Sequence, residues 1–246
     1  PSGAFYLSST KRHRKTFYYV RIKSVELLHV LSRGVDKRKI FMDEKDYVRF
    51  IHDLFEFNDE APVLSTYRRY RNVIARRSIV EHPRELIVNI HAFCLMPNHY
   101  HLLLSARVDN GIPRFMKKLN MGYARHFNEK YERKGTLFEG RYKKVIVRTD
   151  AHFIHLPYYI HLNPLDLTAP EWRDRKLKNY RDALKSLESY RWSSHLDYAG
   201  IENFPSVTQR EFLMKFFGSS NDYKKSVKRW LKGINMEALG ELSLDQ

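Results

Sequence analysis

Leu86-Ile87-Val88-Asn89-Ile90-His91-Ala92-Phe93-Cys94-Leu95-Met96-Pro97-Asn98-His99-Tyr100-His101-Leu102-Leu103-Leu104 reads as two strands and a turn. Leu86 to Leu95 is almost continuously apolar and rich in β-formers, the pattern of a buried strand. Pro97 stops it, Pro97-Asn98 makes a tight turn, and His99 to Leu104 supplies the partner strand. The middle of the chain is therefore expected to be a β-hairpin.

Upstream, Val25 to Leu31 is a short apolar run closed by Ser32-Arg33-Gly34, a further buried strand. Asp43 is placed to cap a helix in which Tyr47, Phe50, Ile51, Leu54 and Phe55 recur at helical spacing. Downstream, Phe115, Leu119, Tyr123 and Phe127 fall four apart within a helix over 112–131, and Lys144 to Val147 alternates as a strand. Asp150 is expected to cap a helix over 151–162, with a kink or restart at Pro157 and an end before Pro164. Beyond Ala169 the pattern is polar and helical, anchored by Trp172, Trp192 and Trp230. The order is a βαββαβ plan in the α+β class: an antiparallel sheet, helices on one face and a helical C-terminal extension. The expected organisation is a basic N-terminal arm over 1–24, a core domain over 25–169 and the extension over 170–246.

In 246 residues, no run approaches the roughly 20 apolar residues of a membrane span, so an integral membrane protein is excluded. No charged-then-apolar N-terminal signal is visible. The single cysteine, Cys94, rules out an internal disulfide and a four-cysteine zinc module, and a cytoplasmic location is expected. Lys and Arg number 44 against 28 Asp and Glu, a net charge of +16. Such self-repulsion is offset by a polyanion, and nucleic acid is the commonest. An anionic membrane surface is disfavoured, since no long basic helix with a bulky apolar face is present. Lys11, Arg12, Arg14 and Lys15 precede Tyr18 and Tyr19, and Arg68, Arg69, Arg71, Arg76 and Arg77 crowd around Tyr67 and Tyr70. Arginines among aromatics suit phosphate pairing and base stacking, and equally suit a solvated tail or helix face.

His99 and His101 stand two apart on a strand, so both imidazoles project from one face while Tyr100 points to the other. They are placed to share one metal ion, or are ordinary polar residues at a strand start. Tyr159 and Asn163 stand four apart just ahead of Pro164 and share a helix face. Together with the histidines, the amide oxygen suits a third ligand and the phenol a nucleophile. Alone, Tyr159 would be core and Asn163 a helix cap. A phosphodiester is anionic with a poor leaving group, so a divalent ion beside a tyrosine nucleophile suits its cleavage. Two imidazoles and an amide carry no negative charge, so no tight structural zinc site is expected; Mg²⁺ or Mn²⁺ fits an open phosphate-assisted site, imidazole leans toward softer ions, and the identity of the ion stays open. Among rival tyrosines, Tyr158 is turned about 100° from Tyr159, Tyr123 lies on an apolar stripe, and Tyr142 follows Arg141 at a strand edge.

Five segments in order resemble the HUH single-tyrosine transposases, and most closely their REP-associated branch. They are His29 to Gly34, Met96 to His101, Gly135 to Tyr142, Tyr159 to Pro164, and Tyr190 to Ser194. The chain departs from the family's pattern at Glu139, where members usually carry a glutamine before the Gly-Arg pair. The resemblance implies a ferredoxin-like HUH domain acting on single-stranded DNA at or near hairpins. His99, His101 and Asn163 would hold Mg²⁺ or Mn²⁺, and Tyr159 would attack the strand to leave a 5′-phosphotyrosine and a free 3′-hydroxyl. Arg141, Lys143 and Lys144 are the expected phosphate contacts. The protein is expected at the nucleoid, as a monomer or homodimer. The competing expectations are a non-catalytic nucleic-acid-binding protein on the same scaffold and a nuclease that uses water in place of Tyr159.

Overall fold

The structure, a computed structural model, describes residues 25–61, 84–174 and 176–232. The basic arm at 1–24 and the arginine cluster around Tyr67 and Tyr70 lie outside the described residues.

Four strands form one sheet: β1 (Leu27–Arg33), β2 (Val88–Met96), β3 (His99–Ala106) and β4 (Lys143–Ile146), in spatial order β2-β3-β1-β4. Every neighbouring pair is antiparallel. The hairpin β2–β3 turns at Pro97-Asn98, pairing Met96 with His99. β1 and β2 both flank β3 and so run parallel to each other, which requires a crossover; α1 (Glu44–Glu56) lies within it. α2 (Gly111–Lys130) makes the second crossover, from β3 to β4. This is the ferredoxin-like βαββαβ arrangement expected from the sequence.

α1 and α2 cover one face. Phe50 and Leu54 of α1 and Phe115, Leu119 and Tyr123 of α2 pack with Val30, Ile90, Tyr100 and Leu102. Asp43 caps α1 in a reciprocal capping box with Asp46. Gly122 lets α2 approach the end of α1, since a Cβ there would stand 2.4 Å from the Phe57 ring. Tyr123 is core, its hydroxyl donating to the Ile40 carbonyl at 2.5 Å.

The opposite face is also covered. α3 (Asp150–Leu162) lies on it, followed by α4 (Tyr180–Ser189), α5 (His195–Tyr198), α6 (Glu211–Phe217) and α7 (Ser220–Leu231). Leu27, Ala92, Cys94 and Leu103 of the sheet share one core with Leu156, Ile160, Tyr198, Leu213 and Val227. Burial on both faces explains why the strands read as continuous apolar runs rather than as alternating ones. Trp172 and Trp230 sit in this second core, whereas Trp192 stacks on Tyr47 of α1 at 4.7 Å.

Two local expectations are corrected. Thr149, not Asp150, caps α3: its hydroxyl accepts from the His152 N–H at 3.1 Å, and Asp150 becomes an acid in the first turn, favourable to the helix dipole. Pro157 does not interrupt α3, which runs on to Leu162. The hydrogen bond that proline forgoes is offset by burial, since Phe153, Leu156, Tyr158 and Ile160 are all in the core. A 3₁₀ turn over Asn163–Leu167 then ends the helix at Pro164.

The extension closes the outer edge of β2. Trp192 accepts from the Leu95 N–H at 2.9 Å, and the Ser194 N–H donates to Phe93 at 3.0 Å. The Ser194 hydroxyl accepts from the Phe93 N–H at 2.9 Å and meets His161 Nε2 of α3 at 2.7 Å. His161 Nδ1 and His195 Nδ1 each lie 2.8 Å from the Tyr223 hydroxyl of α7. This buried polar chain ties α3, α5 and α7 to β2. Among the described residues, no helix is long and apolar enough to cross a membrane.

Candidate active site

β3 presents its first residues as strand geometry requires. His99 and His101 project to the α3 side with ring centroids 5.0 Å apart, and both are buried. Tyr100 points the other way, onto Phe50, and hydrogen-bonds to Asn120. Each imidazole is oriented through Nδ1. That of His99 lies 2.6 Å from Asn98 Oδ1, and that of His101 lies 2.9 Å from His29 Nε2 of β1. Nδ1 held by a neighbour turns Nε2 to the far side of the ring, the arrangement usual in metal-ligating histidines.

Tyr159 and Asn163 arrive from α3. The Tyr159 ring stands edge-on to His101 and His29, with centroids 5.9 and 6.1 Å away. The nucleophile candidate thus meets His101, and His29 beside it, of its own chain. Asn163 is the C-cap of α3. Its Nδ2 donates to the Tyr159 carbonyl at 2.8 Å as a cap, and this leaves Oδ1 directed elsewhere. Tyr158 is turned away among Phe217, Tyr223 and Trp230.

Among the described residues, no three His, Cys, Asp or Glu side chains are grouped as a metal site. A cation here would draw on two neutral imidazoles and the Asn163 amide oxygen. That uncharged, incomplete donor set fits an ion that completes its shell with phosphate and water.

Arg173 is the member that sequence reading missed. It follows a 3₁₀ turn, Pro170–Trp172, and its guanidinium reaches back into the cluster. Nη1 donates to the Tyr159 hydroxyl at 3.1 Å, and Nη2 donates to Asn163 Oδ1 at 3.0 Å. Asp166 fixes the fork, accepting from Nε at 2.8 Å and from Nη2 at 2.6 Å, and also accepts from the Trp172 indole at 2.7 Å. Burial works against the charge of Arg173, but Asp166 and Tyr159 outweigh it, and the guanidinium pKa is raised. No periodicity joins Arg173 to Tyr159; the residues alone offered no signal. His29 was equally invisible as a site residue, because its partner lies 72 positions away.

Of the expected phosphate contacts, Arg141, Lys143 and Lys144 are all exposed. Register separates the two lysines. Leu31 lies opposite both His101 and Lys143, so Lys143 projects on the face of the histidines. Lys144 pairs with Val30 and projects on the other face. A cavity of about 1180 Å³ opens elsewhere, between Asn89, His91, Arg107 and Phe212.

The βαββαβ sheet thus sets His29 of β1 and His101 of β3 against Tyr159 of α3. Residues 51–163 match the family model described as "Transposase IS200 like", a segment from within α1 to Asn163 that contains His99, His101 and Tyr159. Over that segment the chain is similar to the IS200-like transposases. Among solved structures, the chain is similar to one described as "Structure of the REP associates tyrosine transposase bound to a REP hairpin". That match has 15% identity and a TM-score of 0.37, covering 66% of this chain and 81% of that one. No curated protein matches the chain.

Proposed function

We propose that the protein cleaves and rejoins single-stranded DNA, at or near hairpin sequences, through a phosphotyrosine at Tyr159. The observation that carries this reading is the seating of the Tyr159 ring beside His101, 5.9 Å between centroids, within the transposase-like segment. Tyr159 Oη attacks phosphorus, the bond to the 3′ oxygen breaks, and the 5′ side remains on the protein. The free 3′-hydroxyl allows the step to be reversed onto a new strand. His99, His101 and Asn163 would hold Mg²⁺ or Mn²⁺, which when bound polarises a phosphate oxygen. Lys143, on the same sheet face, and Arg141 and Lys144 contact the DNA backbone, consistent with the net charge of +16. The protein works at the nucleoid, in the cytoplasm, as a monomer or homodimer.

A binding protein without catalysis is the second reading. It is favoured by the near-complete burial of Tyr159, 1% exposed with its hydroxyl engaged by Arg173. Incubation with single-stranded hairpin DNA and Mn²⁺, followed by a denaturing gel, separates the two. A protein-linked DNA band that disappears in Tyr159→Phe, with gel-shift binding retained, supports strand transfer. Binding without any linked band supports the second reading, and a band that persists in Tyr159→Phe moves the nucleophile elsewhere.

A further inference from the structure

We infer that Arg173 is a catalytic residue that receives the scissile phosphate beside the nucleophile, an inference that rests on the assignment of Tyr159 above. Its guanidinium touches the reacting oxygen, with Nη1 at 3.1 Å from Tyr159 Oη. It is also the most accessible group of the cluster, its side chain 28% exposed where Tyr159 is 1% and His101 and Asn163 are 0% exposed. A phosphate arriving from solvent meets Arg173 before it meets Oη. Asp166 holds the fork through two of its nitrogens, so the positive charge is fixed in place before DNA arrives. The charge is aimed at the position where Tyr159 must bond to phosphorus.

The chemistry asks for such a group. As the Oη–P bond forms and the P–O3′ bond breaks, negative charge gathers on the non-bridging oxygens. The phenolic proton leaves to water, and the departing 3′ oxygen takes one from water, so the step is balanced. A planar guanidinium donates to a phosphate oxygen and to Oη from adjacent nitrogens, which a lysine ammonium cannot reproduce. The Nη2–H that now bonds to Asn163 Oδ1 is the donor nearest to hand for such an oxygen. A fixed positive donor aimed at the charge that develops in the transition state is worth about 100-fold or more in rate.

The test has two arms. In the first, binding of orthovanadate, a phosphate-like anion, is followed by ⁵¹V NMR for the wild type, Tyr159→Phe, Arg173→Lys and Arg173→Gln. Wild type and Tyr159→Phe are expected to bind equally, Arg173→Gln at least ten-fold more weakly, and Arg173→Lys in between. Equal binding by all four overturns the inference. In the second, the rate of the protein–DNA adduct is measured in one turnover. Arg173→Gln is expected to lose about 100-fold or more while its DNA affinity stays within three-fold, with partial rescue of Arg173→Gly by added guanidinium ion. An adduct formed at the wild-type rate by Arg173→Gln overturns the inference and leaves strand transfer intact. Arg173-dependent vanadate binding without any adduct in the wild type keeps the anion site and removes the strand-transfer reading instead. Should Arg173→Gln fail to fold, Arg173→Lys carries both arms, with the same outcomes deciding.

Discussion

His29 Nε2 and His101 Nδ1 face each other at 2.9 Å across β1 and β3, their rings stacked with centroids 5.1 Å apart. The pair is buried, and it fixes which nitrogen of His101 is turned toward the tyrosine helix. Replacing His29 by Ala removes that restraint. Affinity for Mn²⁺, read from the electron paramagnetic signal of the free ion, is expected to fall by about 10- to 100-fold, as for other partners of metal ligands. His29→Gln, which can still donate, should lose less. Unchanged affinity in His29→Ala would show that His101 needs no such support.

The second core makes stability depend on pH. Burial holds the pKa of His91 and of His195 down to about 4, below the ordinary value of 6.5. A base whose folded pKa is depressed takes up its proton more readily in the unfolded chain. The stability it confers is complete above about pH 6.5 and is lost as pH falls toward 4. Each contributes on the order of 3 kcal/mol across that window. Urea unfolding at pH 7, 6 and 5 should show a falling midpoint, and His195→Gln should make that fall shallower whatever its effect at pH 7, the remainder coming from His91 and from His161, which burial also holds well below 6.5.

Ser194 joins the extension to the tyrosine helix. Ser194→Ala strips the Phe93 N–H of one acceptor and His161 of its partner, both buried. A loss of about 2–3 kcal/mol is expected from denaturant unfolding. A double-mutant cycle with His161→Phe should give a coupling of about 1 kcal/mol or more, and additivity would show that the two side chains act separately.

Register predicts unequal roles for the two strand lysines. Lys143→Ala is expected to weaken single-stranded DNA binding and reduce its logarithmic salt slope by about 0.7, the share of one phosphate contact on a single strand. Lys144→Ala, on the other face of the sheet, should reduce the slope by less. Gel shifts across a range of salt concentrations test both, and equal effects would mean that DNA does not lie on the histidine face.

Elements with long periodic signals were legible in the chain. The β2–β3 hairpin, the α2 stripe through Tyr123 and the shared face of Tyr159 and Asn163 follow from spacing alone. The missing pieces depend on tertiary approach. His29 gains meaning only when β1 pairs with β3, and Arg173 only when a 3₁₀ turn folds the chain back over α3. The cap at Thr149 against Asp150 is a choice between two good capping residues one position apart, which local pattern does not resolve. Likewise, nothing in the amphipathic helices beyond Ala169 says which face they cover.

The pairing of Trp192 and Ser194 along β2 has a consequence for self-association. Unsatisfied strand borders are templates for aggregation, and this one is sealed by the chain itself. The remaining border, β4, is only four residues long and begins with two lysines, so copies of the protein approaching it repel one another. Stacking of copies strand upon strand is thereby disfavoured at both borders of the sheet.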